Sequence, residues 1–258
     1  MKLSVENLCV SACFADGEAF LLKNVDFCIE SGNSLAIVGE SGSGKTMLAL
    51  ALLGLLPQNC RATGKAFLDG KDILNMRERA KNALRGDKIV YIPQSGAEFL
   101  NPALKIKTQI FESLKKSGVK DSLKSAAIEK LALAGLGDEA EETLEKYPHQ
   151  ISGGQAQRVT LALSLCSHPS LVIADEPTKG LDACAAKAVE NGIFNLFSSA
   201  CVVVITHDLS FASRCENILV LKDGRVVEVG DSHGIIANPK EEYTKELIKN
   251  SLGEARYA

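Results

Sequence analysis

Alternating hydrophobic and polar residues predict β-strands in the first third of the chain. Residues 3–10 and 23–29 alternate in this way, and Asp16-Gly17 between them is a favourable turn sequence. Two later stretches have the same strand character: residues 65–73, which turn at Asp69-Gly70, and residues 88–92. We therefore expect an antiparallel subsheet near the amino terminus.

Other hydrophobic runs are continuous, which is typical of parallel strands covered by helices on both faces. These runs are residues 34–38, 171–174 and 201–205. Residues 217–229 predict a β-hairpin that turns at Asp223-Gly224. Helical spacing of hydrophobic residues occurs in residues 47–56, 107–146 (with breaks at Gly118, Gly135 and Gly137), 156–167, 183–197 and 241–251.

This order of strands and helices predicts an α/β fold in a single domain, residues 1–258. We expect residues 1–94 and 169–240 to form a mostly parallel sheet core with the antiparallel subsheet. Residues 107–146 are rich in Leu, Lys, Glu and Ala, and we predict an inserted α-helical subdomain over residues 95–168. The remaining residues, 241–258, predict a C-terminal helix.

Composition narrows the class of protein. Of 258 residues, 46% are hydrophobic and 24% are charged, as in an ordinary globular protein, and the net charge of −3 gives no electrostatic case for a nucleic-acid partner. The most apolar run, residues 47–56, is about half the roughly 20 residues that a membrane-spanning helix needs. The amino terminus lacks the apolar core of a signal peptide, so we expect a cytoplasmic protein.

Eight cysteines are present, and none form a C-x-x-C pair. They are Cys9, Cys13, Cys28, Cys60, Cys166, Cys184, Cys201 and Cys215. Most have apolar neighbours, which favours buried free thiols over a metal site or disulfides.

A glycine-rich segment between the run 34–38 and the following helix is the strongest chemical signal. Its residues are Gly39, Glu40, Ser41, Gly42, Ser43, Gly44, Lys45 and Thr46. Glycines allow backbone N–H groups to approach an anion, and the helix N-terminus adds its positive dipole end. Lys45 would neutralise β/γ-phosphate charge and the Thr46 hydroxyl would hold Mg²⁺, as in the core of P-loop NTPases. The alternative is a glycine-rich loop without a ligand.

Two acids follow the hydrophobic run 171–174. Asp175 lies where Mg²⁺ is held beside a phosphate loop, and Glu176 is placed to orient or deprotonate an attacking water. The alternative is a strand that ends in solvent. The combination with the upstream glycine-rich segment favours the functional interpretation.

Three further segments carry polar groups suited to phosphate or metal. Ser152 is a natural N-cap, and Gly153, Gly154 and Gln155 follow it at the start of a helix, which indicates a second phosphate site or only a capped helix. Gln94 and His207 each follow a predicted strand and could reach metal, water or γ-phosphate. Either could equally be a hydrogen-bonded loop residue.

With these motifs in this order, the chain resembles the ATP-binding cassette (ABC) proteins over nearly its whole length. The matching motifs are Walker A at residues 39–46, the Q-loop at Gln94, the signature at residues 151–155, Walker B at residues 171–175, the catalytic Glu176, a D-loop at residues 180–182 and the switch His207. The resemblance implies hydrolysis of ATP with Mg²⁺ in a head-to-tail dimer, where the signature of one chain closes over nucleotide on the Walker A of the other.

The resemblance also assigns roles to residues. It implies that Glu176, His207 and Gln94 are catalytic and that Thr46, Gln94 and Asp175 serve the metal. Besides Walker A, it places Ser152, Gly153, Gly154, Gln155 and Asp182 at the nucleotide. The aromatic that stacks on adenine is best matched by Phe14, with Phe20 as the alternative, and core packing would explain either phenylalanine equally well.

A narrower resemblance is to the first ATPase subunit of peptide/nickel-type importers. It rests on residues 38–45 with 49–57, on Leu84-Arg85-Gly86, Leu100-Asn101-Pro102 and Tyr147-Pro148-His149, and on Tyr243-Thr244-Lys245. It implies four partners: a second ABC ATPase subunit (identical or paralogous), two membrane permease subunits, and an extracytoplasmic substrate-binding protein. The chain would then lie peripherally at the cytoplasmic face of the membrane, and residues 99–111 would dock a short helix of a permease.

The cargo prediction depends on the end of the sequence. The chain ends soon after Tyr243-Thr244, without the long cysteine-bearing extension common in peptide members, which slightly favours nickel or chelated metal over oligopeptides. Other classes left open are an ABC exporter subunit, a soluble non-transport ABC ATPase and a nucleotide-regulated scaffold without turnover.

The sequence departs from the family pattern at three places. Ile151 replaces the usual signature Leu, and Thr46 replaces the commoner Ser while keeping the hydroxyl. Lys179-Gly180 replaces the usual small pair before Leu181-Asp182, in the segment that the resemblance places at the dimer contact.

Overall fold

The computed structural model describes residues 2–15 and 17–254, with side chains described as far as residue 250. The strands are β1 (Lys2–Phe14), β2 (Gly17–Glu30), β3 (Ser34–Val38), β4 (Cys60–Leu68), β5 (Lys71–Asp72), β6 (Ile89–Ile92), β7 (Leu171–Asp175), β8 (Cys201–Ile205), β9 (Asn217–Lys222) and β10 (Arg225–Asp231). The helices are α1 (Lys45–Leu53), α2 (Glu78–Leu84), α3 (Gly96–Phe99), α4 (Ile106–Lys116), α5 (Leu123–Leu131), α6 (Ala140–Glu145), α7 (Gly153–Ser164), α8 (Ala183–Leu196), α9 (Leu209–Ala212), α10 (Ser232–Ala237) and α11 (Glu242–Glu254).

The chain divides into two compact units. The first unit contains residues 1–83 and 199–258, and the second contains residues 84–198. The predicted helical subdomain, residues 95–168, falls within the second unit, which also contains β6 and β7. The domain boundaries drawn from the sequence stay predictions.

An antiparallel sheet in the first unit has the strand order β2-β1-β4-β5. β1 and β2 form the predicted hairpin, with Lys2 opposite Glu30 and Phe14 opposite Gly17. Asp16, the first residue of the predicted turn, lies outside the described residues. Buried and exposed residues alternate along these strands because one face of the sheet is buried. In β2, for example, Phe27 and Ile29 are buried and Cys28 between them is exposed.

The other strands of the first unit surround β3. β3 pairs in parallel with both β8 and β9, and β9 pairs antiparallel with β10. Every residue of β3 and of β8 is buried, which explains their continuous hydrophobic runs. The predicted hairpin is confirmed, because β9 and β10 turn at Asp223-Gly224.

In the second unit, β6 pairs in parallel with β7, and helices make up the rest of the core. α4 buries Ile106, Ile110 and Leu114 on one face, at the i, i+4, i+8 spacing of an amphipathic helix. Breaks in the long helical segment occur where expected: α4 ends just before Gly118 (φ +94°), and Gly135 (φ +86°) interrupts a short π-helical segment, Ala132–Leu136. Among the described residues, no helix is both long and apolar enough to span a bilayer.

Burial of the cysteines was predicted only in part. All eight thiols are free, as predicted, and Cys166, Cys201 and Cys215 are buried. The prediction is wrong for Cys13, Cys28 and Cys184, which are exposed, and Cys9 and Cys60 are half-buried. Most of these others lie on strands of the antiparallel sheet, where adjacent residues face opposite sides, so apolar sequence neighbours do not imply burial.

Candidate functional site

The glycine-rich segment, residues 39–46, joins β3 to α1 in the first unit. Gly39, Gly42 and Gly44 have φ of +155°, +84° and +107°. At Gly39 there is also no room for a side chain, because a β-carbon would lie 2.2 Å from the carbonyl oxygen of Leu221. The segment therefore has the tight glycine-dependent turn of a phosphate loop, which is followed directly by a helix N-terminus.

Two polar side chains in this loop are suited to an anion. The Lys45 amine donates to the carbonyl oxygens of Gly39 (2.7 Å) and Glu40 (2.8 Å), so it is folded over the loop. The Ser43 hydroxyl is buried and has no hydrogen-bond partner among the residues that the structure describes. The half-buried Lys45 amine and the buried Ser43 hydroxyl, which lacks a partner in the described part of the chain, fit the binding of phosphate oxygens.

His207 leaves the sheet at the same edge as this loop. β8 runs parallel to β3 with Ile205 opposite Ile37, so His207 lies two residues beyond the pairing, at the level of Gly39. The backbone N–H of Thr206 still donates to the carbonyl oxygen of Ile37 (3.2 Å). His207 itself is exposed. The predicted position of the imidazole beside the phosphate loop is therefore consistent with the topology of this unit.

In the second unit, β6 and β7 bring a second set of predicted residues together. Ile92 is opposite Ala174, so Gln94 and Glu176, each two residues further on, leave neighbouring strands at the same level. Asp175 is the last residue of β7 and is 5% exposed. Glu176 has φ +47°, a conformation that is uncommon for non-glycine residues and is frequent at functional sites.

A tyrosine that the sequence analysis did not single out contacts Asp175. The Tyr91 hydroxyl donates to Oδ2 of Asp175 at 3.3 Å. Burial and then the charge of Asp175 raise the pKa of Tyr91, so the phenol keeps its proton and remains a donor to the carboxylate. Tyr91 lies in the half-exposed position of β6, and only the pairing of β6 with β7 reveals its role.

The signature segment forms a capping box at the start of α7. The Ser152 hydroxyl accepts from the backbone N–H of Gln155 (3.2 Å), and the Gln155 side chain accepts from the backbone N–H of Ser152 (2.9 Å). The Gln155 amide also donates to Glu139. The prediction of Ser152 as N-cap is confirmed, and the first N–H groups of α7, at Gly153 and Gly154, lack intrahelical acceptors and suit an anion.

An open cleft of about 350 Å³ in the second unit brings several predicted segments together. Gln94, the signature residue Gly153 and the D-loop residues Lys179, Gly180 and Leu181 line it. The D-loop residue Asp182 serves as N-cap of α8, where its carboxylate accepts from the backbone N–H groups of Ala185 (2.9 Å) and Cys184 (3.0 Å). The Ala185 hydrogen bond above all lowers the pKa of Asp182, so the carboxylate is charged at neutral pH.

Phe14 and Phe20, the candidates for adenine stacking, are both exposed, by 57% and 55%. Core packing therefore explains neither of them. The stacking role of Phe14 stays a prediction. Phe20 immediately precedes Leu21, and the Leu21 carbonyl oxygen is 3.0 Å from where a β-carbon on Gly44 would lie.

The donors predicted for metal are the Thr46 hydroxyl, the Asp175 carboxylate and the Gln94 amide. All three offer oxygen, the ligand atom that Mg²⁺ prefers, so the residues fit this ion. Among the side chains that the structure describes, in residues 2–15 and 17–250, no group of three or more His, Cys, Asp or Glu could hold a metal ion. Remaining ligands would therefore come from phosphate oxygens and water, the usual case for Mg²⁺ at nucleotide sites.

The arrangement supports phosphoryl-transfer chemistry. The first unit carries a phosphate loop with its lysine and a neighbouring histidine. The second unit carries a buried carboxylate suited to metal, a carboxylate suited to a general base, and a glycine-rich helix N-terminus. Groups of these kinds serve a nucleoside triphosphate, its metal and an attacking water in phosphoryl-transfer enzymes.

Comparisons with known proteins agree with this chemistry. The family model described as "ABC transporter" matches residues 22–179. The oligopeptide transport ATP-binding protein OppD of Salmonella typhimurium is 37% identical over 253 residues, which is 95% of this chain and 75% of that protein. The dipeptide transport ATP-binding protein DppD of Haemophilus influenzae is 36% identical over 232 residues, 88% of this chain and 70% of that protein.

An ATP-binding protein of a metal import system and a solved cassette structure are also similar to this chain. The metal-staphylopine import system ATP-binding protein CntD of Staphylococcus aureus is 31% identical over 254 residues, 95% of this chain and 92% of that protein. The dimeric post-hydrolysis structure of the ATP-binding cassette MJ0796 bound to ADP and Pi has a TM-score of 0.78 and 29% identity, and the match covers 89% of this chain and 98% of that chain.

Proposed function

Because the chain belongs to the ABC transporter family, we propose that it is the ATP-hydrolysing subunit of an importer whose cargo is an oligopeptide. It is an ATPase with the α/β fold of ATP-binding cassettes. The observation that carries the proposal is the phosphate loop at residues 39–46, which combines tight glycine turns with Lys45 folded over it, in a chain 36–37% identical to ATP-binding proteins of peptide transport.

Import of a metal chelate is the second candidate. The similarity to CntD, the ATP-binding protein of a metal-staphylopine import system, favours it. The identity is lower, however, at 31% against 37%. The preference for nickel that the sequence analysis drew from the short carboxyl terminus is not confirmed, and we propose the peptide class as cargo.

In the proposed mechanism, residues 39–46 hold the phosphates of ATP through backbone N–H groups and the Lys45 amine. Mg²⁺, held by Thr46 and by Asp175 through water, would neutralise phosphate charge. Glu176 accepts a proton from the attacking water, Gln94 orients that water, and His207 holds the γ-phosphate. Positioning and electrostatic stabilisation supply most of the catalysis, as is general for phosphoryl transfer.

The proposed assembly contains a second ABC ATPase subunit, two permease subunits and an extracytoplasmic binding protein, at the cytoplasmic face of the membrane. In it, the signature residues Ser152, Gly153, Gly154 and Gln155, together with Asp182, serve the nucleotide on the other ATPase subunit. Phe99, which is 50% exposed at the end of α3, is suited to contact with a permease helix.

Replacement of Glu176 by Gln tests the enzymatic assignment. We expect at least a hundred-fold loss of ATP turnover with ATP affinity kept, because the amide retains the shape of the side chain but cannot accept the proton. Glu112→Gln, an exposed change on α4, is the matched control. Turnover near the wild-type rate in Glu176→Gln contradicts the role of Glu176.

The transport class is tested with the complete complex. The tagged chain is co-purified with its membrane partners, and ATPase activity is measured with oligopeptides, with Ni²⁺ and with chelated metal. We expect stimulation by oligopeptides together with their binding protein. Stimulation by chelated metal alone would instead assign the metal class, and an active ATPase without any membrane partner would favour a soluble non-transport ABC ATPase.

A further inference from the structure

The C-terminal helix α11 contacts the phosphate loop directly. Tyr243, in the first turn of α11, accepts a hydrogen bond from the backbone N–H of Glu40, with 3.1 Å between nitrogen and phenolic oxygen. Tyr243 is only 8% exposed. Glu40 is the second residue of the phosphate loop, and both residues belong to the first unit. The helix lies outside residues 22–179, which the family model matches.

The backbone of Glu40 is held on two sides. Its N–H donates to Tyr243, and its carbonyl oxygen accepts from the Lys45 amine at 2.8 Å. The β9–β10 hairpin supports the same loop, since the backbone N–H of Gly224 donates to the carbonyl oxygen of Ser43 at 3.0 Å. The main chain of the loop is therefore held at Glu40 by Tyr243 and at Ser43 by the β9–β10 hairpin.

Neighbouring contacts fix the position of Tyr243. The carboxylate of Glu228 on β10 accepts from the backbone N–H groups of Lys240 (3.0 Å) and Glu241 (3.2 Å), which anchors the start of α11. The Lys222 amine lies 4.3 Å from the centroid of the Tyr243 ring, a cation–π contact. The Tyr243 side chain is thus held in place by the anchored start of α11, by burial of its ring and by the contact with the Lys222 amine.

We propose that Tyr243 is a positioning residue that holds the phosphate loop in its nucleotide-binding conformation. It acts through Glu40 and does not touch the nucleotide. Because the same contact joins the loop and α11, nucleotide binding and docking of α11 stabilise each other, as linkage requires. The inference rests on the proposed binding of ATP at residues 39–46 and adds a support for the loop from α11, outside residues 22–179 that the family model matches.

The first experiment compares Tyr243→Phe with Tyr147→Phe. The phenylalanine keeps the ring beneath Lys222 but removes the oxygen that accepts from Glu40. Tyr147→Phe, in the second unit, removes a hydroxyl elsewhere. Affinity for ATP is measured by titration with a fluorescent ATP analogue and competition by ATP, and kcat and KM are measured in parallel.

Loss of one hydrogen bond from the loop corresponds to about a five-fold change in affinity. We expect the Kd and KM for ATP of Tyr243→Phe to rise by about that factor while kcat stays within about two-fold, and we expect Tyr147→Phe to match wild type. Unchanged ATP affinity in Tyr243→Phe overturns the inference and leaves the proposed function intact. A wild-type chain that does not bind ATP overturns both.

The second experiment measures the reciprocal effect on α11. Amide hydrogen exchange in residues 242–250 is followed with and without a non-hydrolysable ATP analogue and Mg²⁺. We expect the analogue to slow exchange in wild type and to have a clearly smaller effect in Tyr243→Phe. Exchange in wild-type α11 that does not respond to the analogue overturns the inference even if the variant folds poorly.

Discussion

Gly39 shows how a single position constrains the phosphate loop. Its φ is +155°, and a β-carbon would lie 2.2 Å from the carbonyl oxygen of Leu221. Gly70 also has a positive φ, +77°, but a β-carbon added there would have no neighbouring atom within 4 Å. The two glycines therefore share a positive φ but differ in the space available for a β-carbon. This makes them a matched pair for substitution by alanine.

We predict that Gly39→Ala lowers the free energy of unfolding and abolishes detectable ATP binding, whereas Gly70→Ala only lowers stability, by about 1 kcal/mol. In Gly39→Ala, residue 39 must keep a strained positive φ, and either β9 or the loop must also move to make room for the β-carbon. Denaturant unfolding and ATP titration check both variants. ATP binding by Gly39→Ala with wild-type affinity would contradict the structural role of Gly39.

The role of Tyr91 becomes visible only through its hydrogen-bond partner, Asp175. It follows Val90 in an ordinary hydrophobic strand, and nothing in that local pattern indicates chemistry. Once β6 pairs with β7, its hydroxyl lies 3.3 Å from Oδ2 of Asp175. The carboxylate proposed to serve Mg²⁺ is therefore oriented by a neutral donor, the arrangement that commonly fixes metal ligands.

At the scale of elements, the first turn of α7 combines a stabilising cap with a proposed functional role. The capping box between Ser152 and Gln155 satisfies backbone N–H groups at the helix start. The same turn is proposed to serve a nucleotide on the second ATPase subunit. Substitutions that keep the cap but change its charge can therefore separate the two roles.

We predict that Ser152→Ala lowers the free energy of unfolding by about 1 kcal/mol, because the N-cap acceptor is lost. Ser152→Asp keeps an acceptor and should leave the unfolding free energy within about 0.5 kcal/mol of wild type. Its negative charge should repel phosphate, so we expect ATPase activity to fall at least ten-fold. Wild-type ATPase activity in Ser152→Asp is the result that rules out the signature role.

The start of α11 is sensitive to pH through Glu228. Burial would raise the pKa of Glu228, but several hydrogen bonds, first that from the backbone N–H of Lys240, and the charge of Lys240 outweigh it and hold the pKa below its ordinary value of 4.5. A carboxylate with a lowered folded-state pKa stabilises the fold fully above pH 4.5. That stabilisation is lost as the pH falls through the lowered pKa.

We therefore predict that Glu228→Gln lowers Tm at pH 7 and that the difference from wild type shrinks as the pH falls below 4.5. Thermal unfolding followed by circular dichroism between neutral and acid pH measures this difference. Glu112→Gln serves as control. A difference in Tm that grows toward acid pH would show that the carboxylate of Glu228 does not stabilise the start of α11.

At the scale of the whole molecule, one chain carries both a phosphate loop and a signature segment. The resemblance to ABC proteins implies that these two segments serve different nucleotides. The similar cassette MJ0796 has been solved as a dimer bound to ADP and Pi. A dimer of this chain, or a pair with a paralogous ATPase, would complete two such sites.

We predict that Glu176→Gln, which binds ATP without turnover, forms an ATP-dependent dimer, alone or with its paralogue. The molecular mass is measured by light scattering after gel filtration, with and without ATP. Adding Ser152→Asp to Glu176→Gln should abolish the dimer, because the signature turn would repel the nucleotide. A monomer in every mixture would contradict the proposed assembly.

Local chemistry in the sequence was sufficient for the phosphate loop and for most elements. Glycine spacing, cap residues and continuous hydrophobic runs act within a few residues, so the glycine turns in residues 39–46, the N-cap Ser152 and the strands β3, β7 and β8 were predicted correctly. Nucleotide binding at these residues stays a prediction. Boundaries were less accurate: the helix expected at residues 47–56 is α1, which ends before Gly54, where a left-handed glycine (φ +64°) terminates it.

Tertiary structure decided the features that join distant residues. Tyr243 and Glu40 are 203 positions apart and Tyr91 and Asp175 are 84 apart. The burial of Cys9, Cys13, Cys28 and Cys60 depends on which face of the antiparallel sheet is covered. Hydrophobic patterns specify which residues are buried but not which strand or helix covers them. The motifs of the phosphate loop were thus encoded locally, whereas the contact between the loop and α11 emerges only when the chain folds.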